Sequence, residues 1–84
     1  MSSSIHISFF GRLADVLGAR SLSLESALDS GTALKTHLTA AHPEISEILA
    51  HQGTRLVVND EIVDWATALS ASDDIAIIPV VSGG

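Results

Sequence analysis

Asp73-Asp74-Ile75-Ala76-Ile77-Ile78-Pro79-Val80-Val81-Ser82-Gly83-Gly84 is the stretch on which the fold turns. The acidic turn Ser72-Asp73-Asp74 launches a run rich in β-branched residues, which favours a strand. Its apolar character is nearly continuous from Ile75 to Val81. That suits a central strand, buried on one face and partly covered on the other, better than an edge with one wet face. Pro79 has no N–H to donate to a ladder, so pairing is expected to weaken there. The chain then leaves the sheet as a free tail, Val80-Val81-Ser82-Gly83-Gly84.

Working backwards, Arg55 to Asn59 reads as a strand, Asn59-Asp60-Glu61 as a turn, and Ile62-Val63 as the start of the return strand. At the other end of the chain, Ile5, Ile7 and Phe9 alternate with His6, Ser8 and Phe10, the period of a half-buried strand. The period then changes: Leu13, Val16 and Leu17 share a helical face, and Gly18 sits where a glycine stops a helix. Leu22 and Leu24 alternate with serines, a weaker strand that pairs back on the first. Asp29, Ser30 and Thr32 offer N-cap side chains to a helix with the stripe Leu34, Leu38 and Ala41. That helix ends near His42, because Pro43 disfavours helical geometry in the residue before it. Pro43 and Glu44 suit the first turn of a second short helix, with Ile45, Ile48 and Leu49 facing inward. The order is strand, helix, strand, helix, helix, strand, strand, strand. A mixed sheet with its helices packed on one face accounts for it, an α+β architecture.

With 84 residues the chain is read as one domain, 1–84, of which 80–84 are the tail. Chains this short bury only a little over ~60% of the surface they expose when unfolded. There is no cysteine, so neither a disulfide nor a thiolate metal site helps. The 46% hydrophobic composition must supply the core. The net charge of −6 and four scattered basic residues, Arg12, Arg20, Lys35 and Arg55, argue against nucleic acid as a partner. The run Ile75 to Val81 is too short to span a bilayer. Met1-Ser2-Ser3-Ser4 lacks the features of a signal peptide, so a cytoplasmic protein with no membrane partner is expected.

A closing Gly-Gly arises by chance in roughly one chain in two hundred if glycine is drawn at its average frequency of ~7%. By itself the dipeptide fits a floppy terminus or a vector-derived remnant as well as a functional tail. The apolar strand that launches it favours function. Two successive glycines, lacking Cβ atoms, adopt any backbone conformation and pass through a channel too narrow for a side chain. The Gly84 carboxylate then reaches a buried active site on another protein. Joined to AMP through ATP it becomes a good electrophile, and attack by sulfide, or by a persulfide whose S–S bond a thiol then cleaves, yields a thiocarboxylate. Such a carrier needs no catalytic side chains of its own.

Ile5-His6-Ile7-Ser8-Phe9-Phe10-Gly11-Arg12-Leu13-Ala14-Asp15-Val16-Leu17-Gly18 resembles the opening of the MoaD family, the small subunits of molybdopterin synthase. Val58-Asn59-Asp60-Glu61-Ile62-Val63 resembles the family's central turn, and the stretch from Asp73 to Gly84 its C-terminal signature. The resemblance spans nearly the whole chain after Ser4. Two departures are Ser72, where the family commonly has glycine, and Val80, where it often has a second proline. They leave open a neighbouring branch of sulfur carriers.

The resemblance implies a ubiquitin-like β-grasp fold of about five strands and a sulfur-carrier role in molybdenum cofactor synthesis. It implies no enzyme activity in this chain and no cofactor of its own. Gly84 is the adenylation and thiocarboxylate site, delivered by Val81, Ser82 and Gly83. The implied partners are an ATP-dependent adenylating enzyme and the large synthase subunit, assembled as two large and two small subunits with the catalytic lysines on the large ones. Partners of the family dock on an apolar patch that maps to Phe10, Ile62 and Ile78. The alternation of residues agrees in part, turning Phe10 away from Ile7 and Phe9, and Ile78 away from Ile75 and Ile77. An exposed patch of that kind marks an interaction site. The same tail also serves a carrier for thiamine or cysteine synthesis, or a ubiquitin-like modifier joined to lysines. A plain interaction module with an incidental Gly-Gly is the remaining alternative.

Other residues carry less. His37 and His42 are five apart, which turns them away from each other on a helix, so no metal site is expected among the four histidines. Asp60-Glu61 and Asp73-Asp74 read as turn formers rather than an acid–base pair. No base lies near Ser82 in sequence, and Trp65 reads as a packing anchor.

Overall fold

The alternation at the start of the chain becomes strand β1 (Ile5–Phe9), with Ile5, Ile7 and Phe9 all buried. The structure is a computed structural model that describes residues 4–24, 29–70 and 72–79. After β1 come α1 (Arg12–Leu17), β2 (Ser21–Leu24), α2 (Gly31–Ala41), a 3-10 turn (Pro43–Ile45), α3 (Ser46–Ala50), β3 (Arg55–Val58), β4 (Glu61–Val63) and β5 (Asp74–Ile78).

The five strands form one sheet in the order β2-β1-β5-β3-β4. β5 is the central strand, parallel to β1 and antiparallel to β3; β2 and β4 close the edges as antiparallel partners of β1 and β3. Register decides which side chains share a face. Ile7 lies opposite Ile75 and Phe9 opposite Ile77, while Leu56 and Val58 of β3 oppose Ile77 and Ile75. These residues form one core with Leu13 of α1, Leu34 and Leu38 of α2, and Ile45 and Leu49 around α3. Each side chain so buried contributes roughly 1.5–3 kcal/mol relative to exposure.

Helix α2 starts where Ser30, in extended conformation, accepts a hydrogen bond from the Ala33 N–H at 3.1 Å. It stops at His42, before Pro43 opens the 3-10 turn. Two apolar positions read from periodicity face elsewhere. Val16 is 39% exposed, because α1 presents Leu13, Ala14 and Leu17 to the core and leaves Val16 on the shoulder beyond Leu13. Ala41 is exposed in the last turn of α2, where Ile45 takes over the inward position.

The β3–β4 connection is a two-residue hairpin in which Asn59 (φ 52°) and Asp60 (φ 68°) both have positive φ. This type I′ geometry matches the right-handed twist of the strands, and Asn and Asp tolerate it better than other side-chain-bearing residues. The turn is tied to the launch of β5. The Asn59 N–H donates to the Asp74 carbonyl at 2.8 Å, its Oδ1 accepts from the Asp74 N–H at 3.0 Å, and its Nδ2 donates to Asp73 at 3.1 Å. Asp73 also accepts from the Ser70 N–H at 2.9 Å. These donors, the Ser70 N–H first and the Asn59 amide second, hold the Asp73 carboxyl below the ordinary aspartate value. A depressed folded-state value means stabilisation that is present above the ordinary value and lost as pH falls through the depressed one. Thermal unfolding should therefore show Asp73→Asn less stable than wild type at neutral pH, with the gap closing as the pH falls below about 4. A gap that stays constant across that range would count against the role assigned to the carboxylate.

Candidate functional site: the open sheet face and the end of β5

The face of the sheet opposite the core collects the residues that alternate outward. Ser8 and Ala76 are opposed, as are Ala76 and Val57, and Val57 and Ile62; Ile78 lies opposite Arg55. Directly opposed residues share a face, so Ile62, Val57, Ala76 and Ile78 lie on one side. Phe10 follows Phe9 at the end of β1, next to Ile78 at the end of β5, since Phe9 is in register with Ile77. Phe10 is 51% exposed, Ile62 68% and Ile78 39%. The three side chains named from the sequence are thus large exposed apolar groups, with the smaller half-buried Val57 and Ala76 between them.

The last described residue, Pro79, is seated against Gly11. Gly11 turns the chain from β1 into α1 at φ 58° and ψ −133°, a region open in practice only to glycine. A Cβ placed on it would lie 3.3 Å from Cγ of Pro79, whose residue is buried. The end of β5 is therefore seated against the start of α1, beside Phe10. The sequence singled out Pro79 as the end of the ladder; the need for glycine at position 11 shows only in the packing. Val80, Val81, Ser82, Gly83 and Gly84 lie outside the described residues.

Elsewhere the polar side chains serve the fold. Buried Thr54 donates from Oγ1 to the Ile48 carbonyl at 2.6 Å, closing the end of α3. His6 and Ser23 share a hydrogen bond of 2.8 Å across β1 and β2. Trp65 packs half-buried against the core, with Lys35 Nζ 5.0 Å from its ring centroid. Among the described residues no group of three His, Asp or Glu side chains is placed to hold a metal ion, and no helix is long and apolar enough to cross a membrane.

A five-stranded mixed sheet with a central C-terminal strand, helices on one face and an apolar patch on the other defines a ubiquitin-like β-grasp protein. The chain belongs to the ThiS family, whose model matches residues 7–84. It is 35% identical over 88 residues, covering the whole of both chains, to the molybdopterin synthase sulfur carrier subunit of Dictyostelium discoideum. The crystal structure of SAMP1 from Haloferax volcanii is similar with a TM-score of 0.78 and 30% identity, over 96% of this chain and 99% of that one. A chain in the complex of subunits 1 and 2 of the molybdopterin-converting factor from Helicobacter pylori matches with a TM-score of 0.66 over 96% of this chain and 99% of that one. At 21% identity that last likeness is one of fold alone.

Proposed function

We propose that this chain is the sulfur carrier of a molybdopterin synthase, acting in the cytoplasm as one domain of residues 1–84 with 80–84 as its working tail. The observation that carries the reading is the full-length similarity to a curated sulfur carrier subunit, within a family match that runs to Gly84. The placement of Pro79 beside Phe10 and Ile78 supports it, since a partner seated on the patch meets the tail where it leaves the body.

The chemistry belongs to the tail and its partners. An adenylating enzyme joins the Gly84 carboxylate to the α-phosphate of ATP and releases pyrophosphate. A sulfur donor displaces AMP from the acyl-adenylate and leaves a thiocarboxylate. Phe10, Ile62 and Ile78 then dock on the large subunit, in an assembly of two large and two small subunits. Val81, Ser82 and Gly83 carry the sulfur to the pterin precursor, and water restores the carboxylate. This chain contributes reach and positioning; the catalytic side chains are on the partners.

The similarity to SAMP1 favours one second reading, a protein modifier that uses the same activated tail on lysines. Intact mass after incubation with a molybdopterin-type adenylating enzyme, ATP and a sulfur donor tests the proposal. The expected result is a mass gain equal to replacing one oxygen by sulfur. An unchanged mass, with the enzyme active on its own carrier, overturns it. Thiol-resistant adducts of higher mass in cells would point to the modifier, and transfer of the sulfur only to a thiamine or cysteine precursor to a neighbouring carrier pathway.

A further inference from the structure

We propose that the end of the sheet at which β5 finishes is an arginine collar that docks a protein surface bearing carboxylates around an apolar socket. In the sulfur-carrier reading, on which the identity of that partner rests, the surface belongs to the large synthase subunit.

Strand direction brings the arginines together. β1 and β5 run parallel, so Phe10 and Ile78 leave the sheet at the same end. β2 and β3 run antiparallel to them and begin there. Arg55, the first residue of β3, therefore lies directly opposite Ile78. Arg20, just before β2, accepts the Phe9 N–H on its carbonyl at 2.7 Å and lines a groove with Phe10. Arg12 opens α1 and lines a second groove with Pro79 on the helix side. All three arginines are exposed. Among the described residues none of them has a carboxylate within 4.0 Å, although Asp15 lines the Arg20 groove and Glu47 the Arg12 groove.

The opposite end of the sheet is acidic. Asp60 lies in the β3–β4 turn, Glu61 opens β4, and Asp73 and Asp74 launch β5. A chain of net charge −6 thus gathers three of its four Lys and Arg residues around the end of β5. The fourth, Lys35, sits on α2 over Trp65. Asp64, which follows β4 at the arginine end, has its Oδ1 engaged by the Ala66 N–H at 2.8 Å.

This segregation orients an encounter. An acidic partner surface is repelled at the Asp60/Asp74 end and meets three of the chain's four Lys and Arg side chains at the collar, so it arrives facing the apolar patch. Arginine suits the task, because its planar, weakly hydrated guanidinium pairs with carboxylates while lying against apolar groups such as Phe10 and Ile78.

The test is the association rate of the full chain with the large synthase subunit as a function of salt. Wild type is compared with Arg12→Gln/Arg20→Gln/Arg55→Gln, with the single variants Arg20→Gln and Arg55→Gln, and with Lys35→Gln, each shown to be folded by circular dichroism. The wild-type rate should fall about tenfold or more from low to high salt. The triple variant should be about tenfold slower at low salt with a nearly flat salt dependence, and each single variant roughly two- to threefold slower. Lys35→Gln should follow wild type. Folded arginine variants with the wild-type rate and salt slope overturn the collar and leave the carrier reading standing. A wild-type chain that does not bind the large subunit at all overturns the carrier reading and, with it, the partner named here.

Discussion

Deleting Gly84 should abolish sulfur loading while the domain unfolds at the same temperature as wild type. Under the proposed function the terminal carboxylate is the only group on which the chemistry occurs. Removing one residue draws it back by up to ~3.5 Å, roughly the length of an extended residue. It also places Gly83 at the end of an arm that must reach a fixed adenylation site. A misplacement of even about 1 Å can cost a reaction 10²-fold, so a one-residue recession should remove loading altogether. Stability should be unchanged, since the buried side chains of β5 are Ile75 and Ile77 and the chain is already seated against Gly11 at Pro79. Intact mass and thermal unfolding of the same preparation check both halves. A truncated chain that still gains sulfur would show that the carboxylate of Gly84 is not the acceptor.

Gly31→Ala should be among the most destabilising single-methyl additions in the molecule. At the first turn of a helix such a change is ordinarily neutral or stabilising, since glycine costs up to about 1 kcal/mol relative to alanine in a helix. Here the added Cβ would collide with the Trp65 carbonyl oxygen and stand 2.6 Å from Cδ2 of Leu56. Little around it yields. The Gly31 N–H donates to the Thr67 carbonyl at 3.1 Å, and the Leu69 N–H donates to the Asp29 carbonyl at 2.9 Å. An isolated bridge between Ser30 and Ala68 completes the strap that holds residues 65–69 across the start of α2. Overpacking of this kind costs about 1–3 kcal/mol, and in a domain of this size each kcal/mol lowers the melting temperature by roughly 4–8 °C. An unchanged or raised melting temperature for Gly31→Ala would mean that the strap moves aside freely.

Much of the fold was legible in the order of residues because it rests on local physics. The two-residue alternation of Ile5, Ile7 and Phe9 and the helical spacing of Leu34 and Leu38 set element type. Ser30 and Pro43 set the limits of α2, and the apolar run after Asp74 marked the central strand. The same alternation put Phe10 and Ile78 on the outside, where they are found. It misplaced Val16, because a six-residue helix has no second turn to show which side of a short stripe meets the core.

The Gly-Gly ending, the acidic balance and the absence of cysteine were decided residue by residue along the chain. The pairings between distant segments were not, since strand register and crossover direction leave no mark in local spacing. Only the parallel seating of β1 beside β5 brings Phe10 to Ile78. The antiparallel return of β3 sets Arg55 beside them. The strap over α2 makes Gly31 indispensable, and the hairpin joins Asn59 to Asp73. Each of these joins residues far apart in the chain, and the common core that buries Ile7, Leu38, Leu56 and Ile75 together holds the segments that carry them in place.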